Sequence, residues 1–220
     1  MPYLLKKEIQ PETIDCKILS AALDLFVENS YHNVTVHDIQ KQADVSIGAI
    51  YHHFGSKEGI AKALFNQIIN EVDDLIDNIT QTIDSPLKQC EEIIRRLFEY
   101  TETHPNIIAF VFHAKHSEFL PGEPLMCNAS PFWKMREIIR NGIECGDFLD
   151  TDRWAAASCI YGGAIRMMQL RLDGIIEKPI TEYTEIIINA AWKGLKAEPK
   201  LKLVKNSITE KKKQAVKICD

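Results

Sequence analysis

Residues 35–65 read T-V-H-D-I-Q-K-Q-A-D-V-S-I-G-A-I-Y-H-H-F-G-S-K-E-G-I-A-K-A-L-F. Three hydroxyl residues in this run, Thr35, Ser46 and Ser56, each stand just ahead of apolar residues at helical spacing. A Ser or Thr oxygen accepts a hydrogen bond from a free N–H in the first turn of a helix, so the run predicts three helix starts in close succession. Asp38, three residues after Thr35, completes a capping box. Ile39 and Ala43 face inward from the second helix, Asp44-Val45-Ser46 forms the turn, and the third helix runs from Ile47 to about His53. Ile50 and Phe54 anchor it to the core, and Gly55-Ser56 ends it. A short helix, a tight turn and a second short helix are the layout of a helix-turn-helix, whose partner is double-stranded DNA.

Outward from that run, everything reads as helix. Apolar residues recur at intervals of three and four, and no long stretch alternates as a strand would. A first helix is predicted over 12–28, with Ile14, Ile18, Ala21, Ala22, Leu25 and Phe26 as its apolar stripe and a break at 29–33. The fourth helix, from Lys57 to about Asp84, keeps Ile60, Leu64, Ile68, Val72, Leu75 and Ile79 in register. Such a helix would be about 40 Å long, enough to join a small head to a separate body. Further helices are predicted over 86–104, 105–119, 131–145 (ended by Gly146), 152–174 and 181–195, with an irregular loop over 120–130. The fold class is all-α. It divides into a three-helix head over 1–56 (arm 1–11), a helical body over 57–195, and a lysine-rich tail over 196–220.

Composition narrows the classes. The chain has 220 residues, of which 45% are hydrophobic and 26% charged, which is ordinary globular usage. The longest apolar candidate, 107–112, is far short of a membrane span. The N-terminal residues carry no signal-peptide pattern, so a cytoplasmic location and no membrane partner are expected. The six cysteines (16, 90, 127, 145, 159 and 219) lack C-x-x-C spacing and read as reduced thiols. Net charge is −2 over 1–66, −8 over 67–195 and +5 over 196–220. An acidic middle is a poor nucleic-acid surface, which leaves the head and the tail for DNA. The tail's lysines would add non-specific DNA affinity or serve as a solvated, solubilising segment.

The sequence resembles the TetR/AcrR family of transcriptional regulators. The resemblance rests on I-L-S-A-A-L-D-L-F (18–26), T-V-H-D-I (35–39), V-S-I-G-A-I-Y-H-H-F (45–54) and S-K-E-G-I (56–60). It implies a three-helix DNA-binding head, a helical body for ligand and dimerisation, and a homodimer on a palindromic operator. Carried onto this chain, it places Thr35, Ser46, Ile47, Gly48, Ala49, Tyr51, His52 and Lys57 at the DNA. Residue chemistry agrees. Thr35 and Ser46 open helix N-termini that favour phosphate, and Ile47 and Ala49 are small enough to reach thymine methyls. Taken singly, Tyr51 as core and Ser46 as a cap only are the lesser alternatives. Departures from the family pattern also matter. Asp44 and Ser30 stand where glycine is common, the head is net acidic, and the first arginine is Arg95. Modest affinity, a shallow salt slope and operator choice through lysines, small residues and DNA shape are expected. Lys6 and Lys7 read either as a groove-reaching arm or as solvated tail.

In the body, the aromatic run 107–120, P-F-W at 131–133 and G-G-A-I-R-M-M-Q at 162–169 read as core or as pocket lining, and the resemblance places a pocket between the middle helices. Phe110, His113, His116, Phe132, Trp133, Arg166 and Met167 are its candidate lining. Arg166, among Gly162, Gly163, Ile165, Met167 and Met168, reads as a guanidinium in apolar company that needs a native carboxylate or a ligand's anionic group. His113 and His116 share a helix face. With Cys127 or Glu118 they would make a metal site, but no tight second ligand pair accompanies them, so neither metal nor cofactor is called for. The resemblance places the dimer interface on the last two body helices, with Tyr161, Leu170, Ile187, Ala190, Ala191 and Trp192 as candidates; packing within one chain is the alternative.

These features point to a ligand-responsive regulator, a repressor released by a small hydrophobic or amphipathic molecule. The sequence lacks G-x-S-x-G, H-E-x-x-H and a Gly-rich phosphate loop, so no enzyme is implied. A helical protein-interaction module with a degenerate head is the alternative.

Overall fold

The computed structural model describes residues 13–114, 120, 122 and 128–195. The arm 1–11, the tail 196–220, His116, Glu118 and Cys127 fall outside the described residues. Nine α-helices and two 3-10 turns account for the regular structure among those described, with no strand. The helices are α1 (Ile14–Asn29), α2 (Val36–Ala43), α3 (Ile47–Phe54), α4 (Lys57–Thr82), α5 (Pro86–Thr103), α6 (Pro105–His113), α7 (Ser130–Cys145), α8 (Arg153–Leu172) and α9 (Thr184–Leu195).

Local chemistry sets most boundaries. Thr35 Oγ1 accepts from Asp38 N at 3.2 Å, and Asp38 Oδ2 accepts from Thr35 N at 2.9 Å, so the capping box is complete. Ser46 and Ser56 cap α3 and α4 through Ala49 N and Gly59 N. Proline opens α5 and α6, where a missing N–H costs nothing. Gly146 ends α7 in the left-handed region at φ 84°. Ser30 and Asp44 are the two non-glycine residues with positive φ, at 64° and 51°. Both are the positions where glycine is common in the resembling family, so the backbone keeps the turn and the side chains bear the strain.

The stripe expected on α1 holds at Ile18, Ala21, Ala22 and Phe26, but Ile14 is exposed and Leu23 is buried instead. Ile14 is the first residue of the helix. The helix predicted over 105–119 is described only to His113.

α1, α2 and α3 pack on one another, and α4 leaves them for the body. There α4 meets α5 and α7, while α8 lies against α5, α6, α7 and α9. One continuous apolar cluster runs from Ile18 through Leu64, Ile94 and Phe110 to Ile160 and Leu195. Polar bridges lie on its margin. Lys134 on α7 spans Asp73 and Asp77 of α4 at 3.1 and 2.8 Å. Arg171 on α8 grips the Glu102 carboxylate of α5, which also accepts from Ile180 N at 2.8 Å. The Arg171 guanidinium holds the Glu102 carboxyl below the ordinary carboxylate range.

Candidate functional site

The outward face of α2 and α3 is built from caps and exposed side chains. Thr35, Ser46, Gly48, Tyr51 and His52 are exposed, and Ile47 and Ala49 are half-exposed. Tyr51 is 53% exposed, which rules out its reading as core. Behind this face, Ile39, Ala43 and Ile50 are buried. His53 Nδ1 meets Asp15 Oδ1 at 2.6 Å and ties α3 to α1.

Lys57 departs from expectation. Its ammonium is not presented outward. It donates to the carbonyls of Tyr31 and Val34 at 3.0 and 2.8 Å and lies 4.2 Å from the Tyr31 ring centroid. Burial pulls its pKa below the ordinary lysine value. The motif gives the residue's position but not its rotamer, and two backbone carbonyls at the end of the α1–α2 turn outcompete solvent for this ammonium. Lys57 therefore clamps the turn that sets the start of α2.

The head is also held by the body. α6 packs on α1, and Asn106 Nδ2 donates to Asp24 Oδ1 at 2.6 Å. Beside this contact lies a cleft of roughly 240 Å³ bordered by Leu23, Asp24, His104 and Ile107. No sequence pattern marks this joint, because a polar pair 82 positions apart leaves no periodic trace.

Candidate ligand residues divide. Phe110 is buried, and Phe132 and Met167 pack half-buried on the same core. Trp133 is 53% exposed. His113 is exposed and lies 3.5 Å from Asp173. Arg166 is exposed, with Nη1 3.4 Å from Gln169 Oε1. The buried guanidinium expected among its apolar neighbours is absent, because at 100° per residue Arg166 shares the outward face of Cys159, Gly162 and Gly163 while Ala164 and Met168 turn inward.

Two dimer candidates prove to be internal. Tyr161 is buried and its hydroxyl donates to Cys90 Sγ at 3.2 Å, with burial pushing the Cys90 thiol up to about 12. Trp192 stacks on Phe148 at 5.4 Å and donates Nε1–H to Glu91 at 3.0 Å. Both fasten α8 or α9 to α5 within one chain, a packing role that residue type alone does not separate from an interface. Leu170, Ile187 and Ala191 are half-buried, and Ala190 is exposed. The outward strip of α8 and α9 instead shows exposed Ala155, Ser158, Cys159 and Gly163 and half-buried Gly162, with Ile186 and Ala190 exposed on α9. Ile186 is 63% exposed and lies at i+4 spacing to Ala190.

A capped helix-turn-helix mounted on an all-helical body defines a DNA-binding transcription regulator. Residues 18–64 match the family model described as bacterial regulatory proteins, tetR family. The HTH-type transcriptional repressor KstR2 of Mycolicibacterium smegmatis is 26% identical over 151 residues, 65% of this chain and 73% of that protein. The ketosteroid transcriptional regulator KstR2 of Mycobacterium tuberculosis superposes with a TM-score of 0.69 at 20% identity, covering 86% of this chain and 98% of that one. The regulator FadR of Bacillus subtilis, in complex with stearoyl-CoA, gives 0.60 at 19% identity, covering 81% and 97%. At such identities the structural likeness is one of fold. The family match lies in residues 18–64, and over most of its length the chain is similar to TetR-family transcription regulators.

Among the described residues no helix is long and apolar enough to cross a membrane.

Proposed function

We propose that the protein is a homodimeric repressor, released from a palindromic operator by a small, largely hydrophobic or amphipathic ligand. Residues 1–56 would read DNA, and 57–195 would hold the ligand and the second copy. The observation that carries this reading is the double attachment of the head. α1 is held by α4, which continues from the recognition helix, and separately by α6 through Asp24 and Asn106. α6 in turn rests on α5 and α8, so a ligand that moves α6 reorients the head. Two α3 helices must match one turn of DNA, about 34 Å, so a small rotation suffices for release. A hydrophobic ligand is supported by Phe110, Phe132 and Met167 in the body core and by the acyl-CoA bound to the FadR of the same fold.

The test is selection of bound duplexes from a random pool by the full chain at low salt, followed by challenge of the retained duplex with stearoyl-CoA and with a ketosteroid. A palindromic motif lost on addition of one of them is the expected result. No enrichment by a folded, dimeric protein would overturn the proposal.

A further inference from the structure

We propose that His37 and His52 supply much of the charge with which this head meets DNA phosphates, so that operator binding takes up protons. The inference rests on the DNA-binding reading and concerns how the contact is made.

The cation inventory of the head is short. No arginine precedes Arg95, and Lys41 is the one lysine of α2 and α3. The ammonium of Lys57 is committed to the carbonyls of Tyr31 and Val34 and to the Tyr31 ring. In a helix-turn-helix the second helix enters the major groove and the first lies across the backbone, so DNA meets the exposed side chains of α3 and of the start of α2. On this face stand His37, in the first turn of α2, and His52, beside Tyr51 on α3. All three are exposed. His53 differs, being bonded to Asp15 and held on α1.

The groups around these imidazoles leave a place for their charge. Asp38 follows His37 on α2, and its carboxylate accepts from both Thr35 N and Thr35 Oγ1. The neighbouring elements carry Asp15 and Lys17 on α1, Asp44 in the turn, and Lys57, Glu58 and Lys62 on α4. His53 lies against His52 on α3 itself, with ring centroids 5.2 Å apart. Without protonated imidazoles, the DNA-facing charge of α2 and α3 is Lys41 set against Asp38. Two protonated imidazoles turn that balance positive.

Imidazole is the side chain whose ordinary ionisation falls between pH 5 and 8. A phosphate brought against it favours the charged form. Wherever the free protein holds a neutral imidazole, binding draws a proton from solvent, and affinity must rise as pH falls. A dimer presents four such imidazoles. Each one that becomes charged on a phosphate also adds about 0.9 to the salt slope.

The experiment uses the full chain and a fluorescent 30-base-pair duplex, the strongest selected from a random pool. Its affinity is read by anisotropy at pH 6, 7 and 8 over a range of KCl concentrations, with helicity and dimer mass checked at each pH. Binding should tighten roughly tenfold or more from pH 8 to pH 6, and the salt slope should steepen. His37→Gln and His52→Gln should each flatten the pH dependence, whereas Lys41→Gln should weaken binding equally at every pH. Affinity independent of pH, or a pH dependence that survives the double histidine variant, would overturn the inference and leave the DNA-binding reading intact. No binding at any pH would overturn both.

Discussion

Glu71 shows how one side chain can set a pH response without touching DNA. It is half-buried on α4, with hydrogen bonds from Gln67 Nε2 at 3.2 Å and Tyr100 OH at 3.5 Å. Burial outweighs both bonds, and Asp74 adds repulsion, so its carboxyl is pushed up to about 7. A raised pKa means the folded chain keeps a proton that the unfolded chain has released. The stability this contributes is full below the ordinary carboxylate range and falls as pH rises through 7. Glu71→Gln fixes the neutral form. It should match the parent in thermal unfolding at pH 5 and melt above it at pH 8; a glutamine variant that melts lower at pH 8 would refute the account. The location gives the effect reach, since Tyr100 stacks on His104 at 4.6 Å, next to the Asn106–Asp24 contact.

At the scale of the element, two glycines flanking the α3–α4 turn, Gly48 on α3 and Gly59 on α4, make opposite predictions for the same substitution. A Cβ on Gly59 would overlap the carbonyl oxygen of Phe54, because the first turn of α4 is folded against the end of α3. A Cβ on Gly48 would meet only Ser46 Oγ, at 3.9 Å. Gly59→Ala should therefore cost about 2 kcal/mol or more in chemical unfolding. Gly48→Ala should add roughly 0.5–1 kcal/mol, the helix propensity of alanine over glycine. Equal effects from the two would show that the α3–α4 turn is looser than described. The contrast also marks what the sequence can reveal. Helix starts and stops were legible at Thr35, Ser46, Ser56, Pro86, Pro105 and Gly146, because a cap is a contact within a few residues. The outward position of Ser46, Gly48, Tyr51 and His52 was legible for the same reason. The role of Gly59 was not, since it depends on how two helices meet, and neither was the inward turn of the Lys57 ammonium. Arg166, Tyr161 and Trp192 were misplaced because α8 and α9 carry apolar residues on more than one face. Periodicity alone cannot say which face turns to α5 and which to solvent.

For the whole molecule, the decisive surface is the strip of α8 and α9 that the single chain leaves uncovered. Gly162 and Gly163 sit in mid-helix, where glycine costs about 1 kcal/mol relative to alanine. A Cβ on either meets nothing within 4 Å in the single chain. Internal packing therefore gives no reason for them. Close approach by a second copy would, since small residues let helix backbones come together and Ile186 would be covered by the same contact. Gly163→Arg separates the two accounts. Within one chain it removes a flexible residue from a helix and fills open solvent, so helicity and unfolding of the monomer should hold or improve. Across a two-fold contact it inserts a charged side chain twice, once from each copy, into a face with no room for it. Sedimentation should then report monomer where the parent is dimeric. Binding to a two-half-site operator should fall by a hundredfold or more, because one head alone forfeits the second set of contacts. A Gly163→Arg protein that remains dimeric and binds as the parent does would place the interface elsewhere and leave these glycines without a physical role.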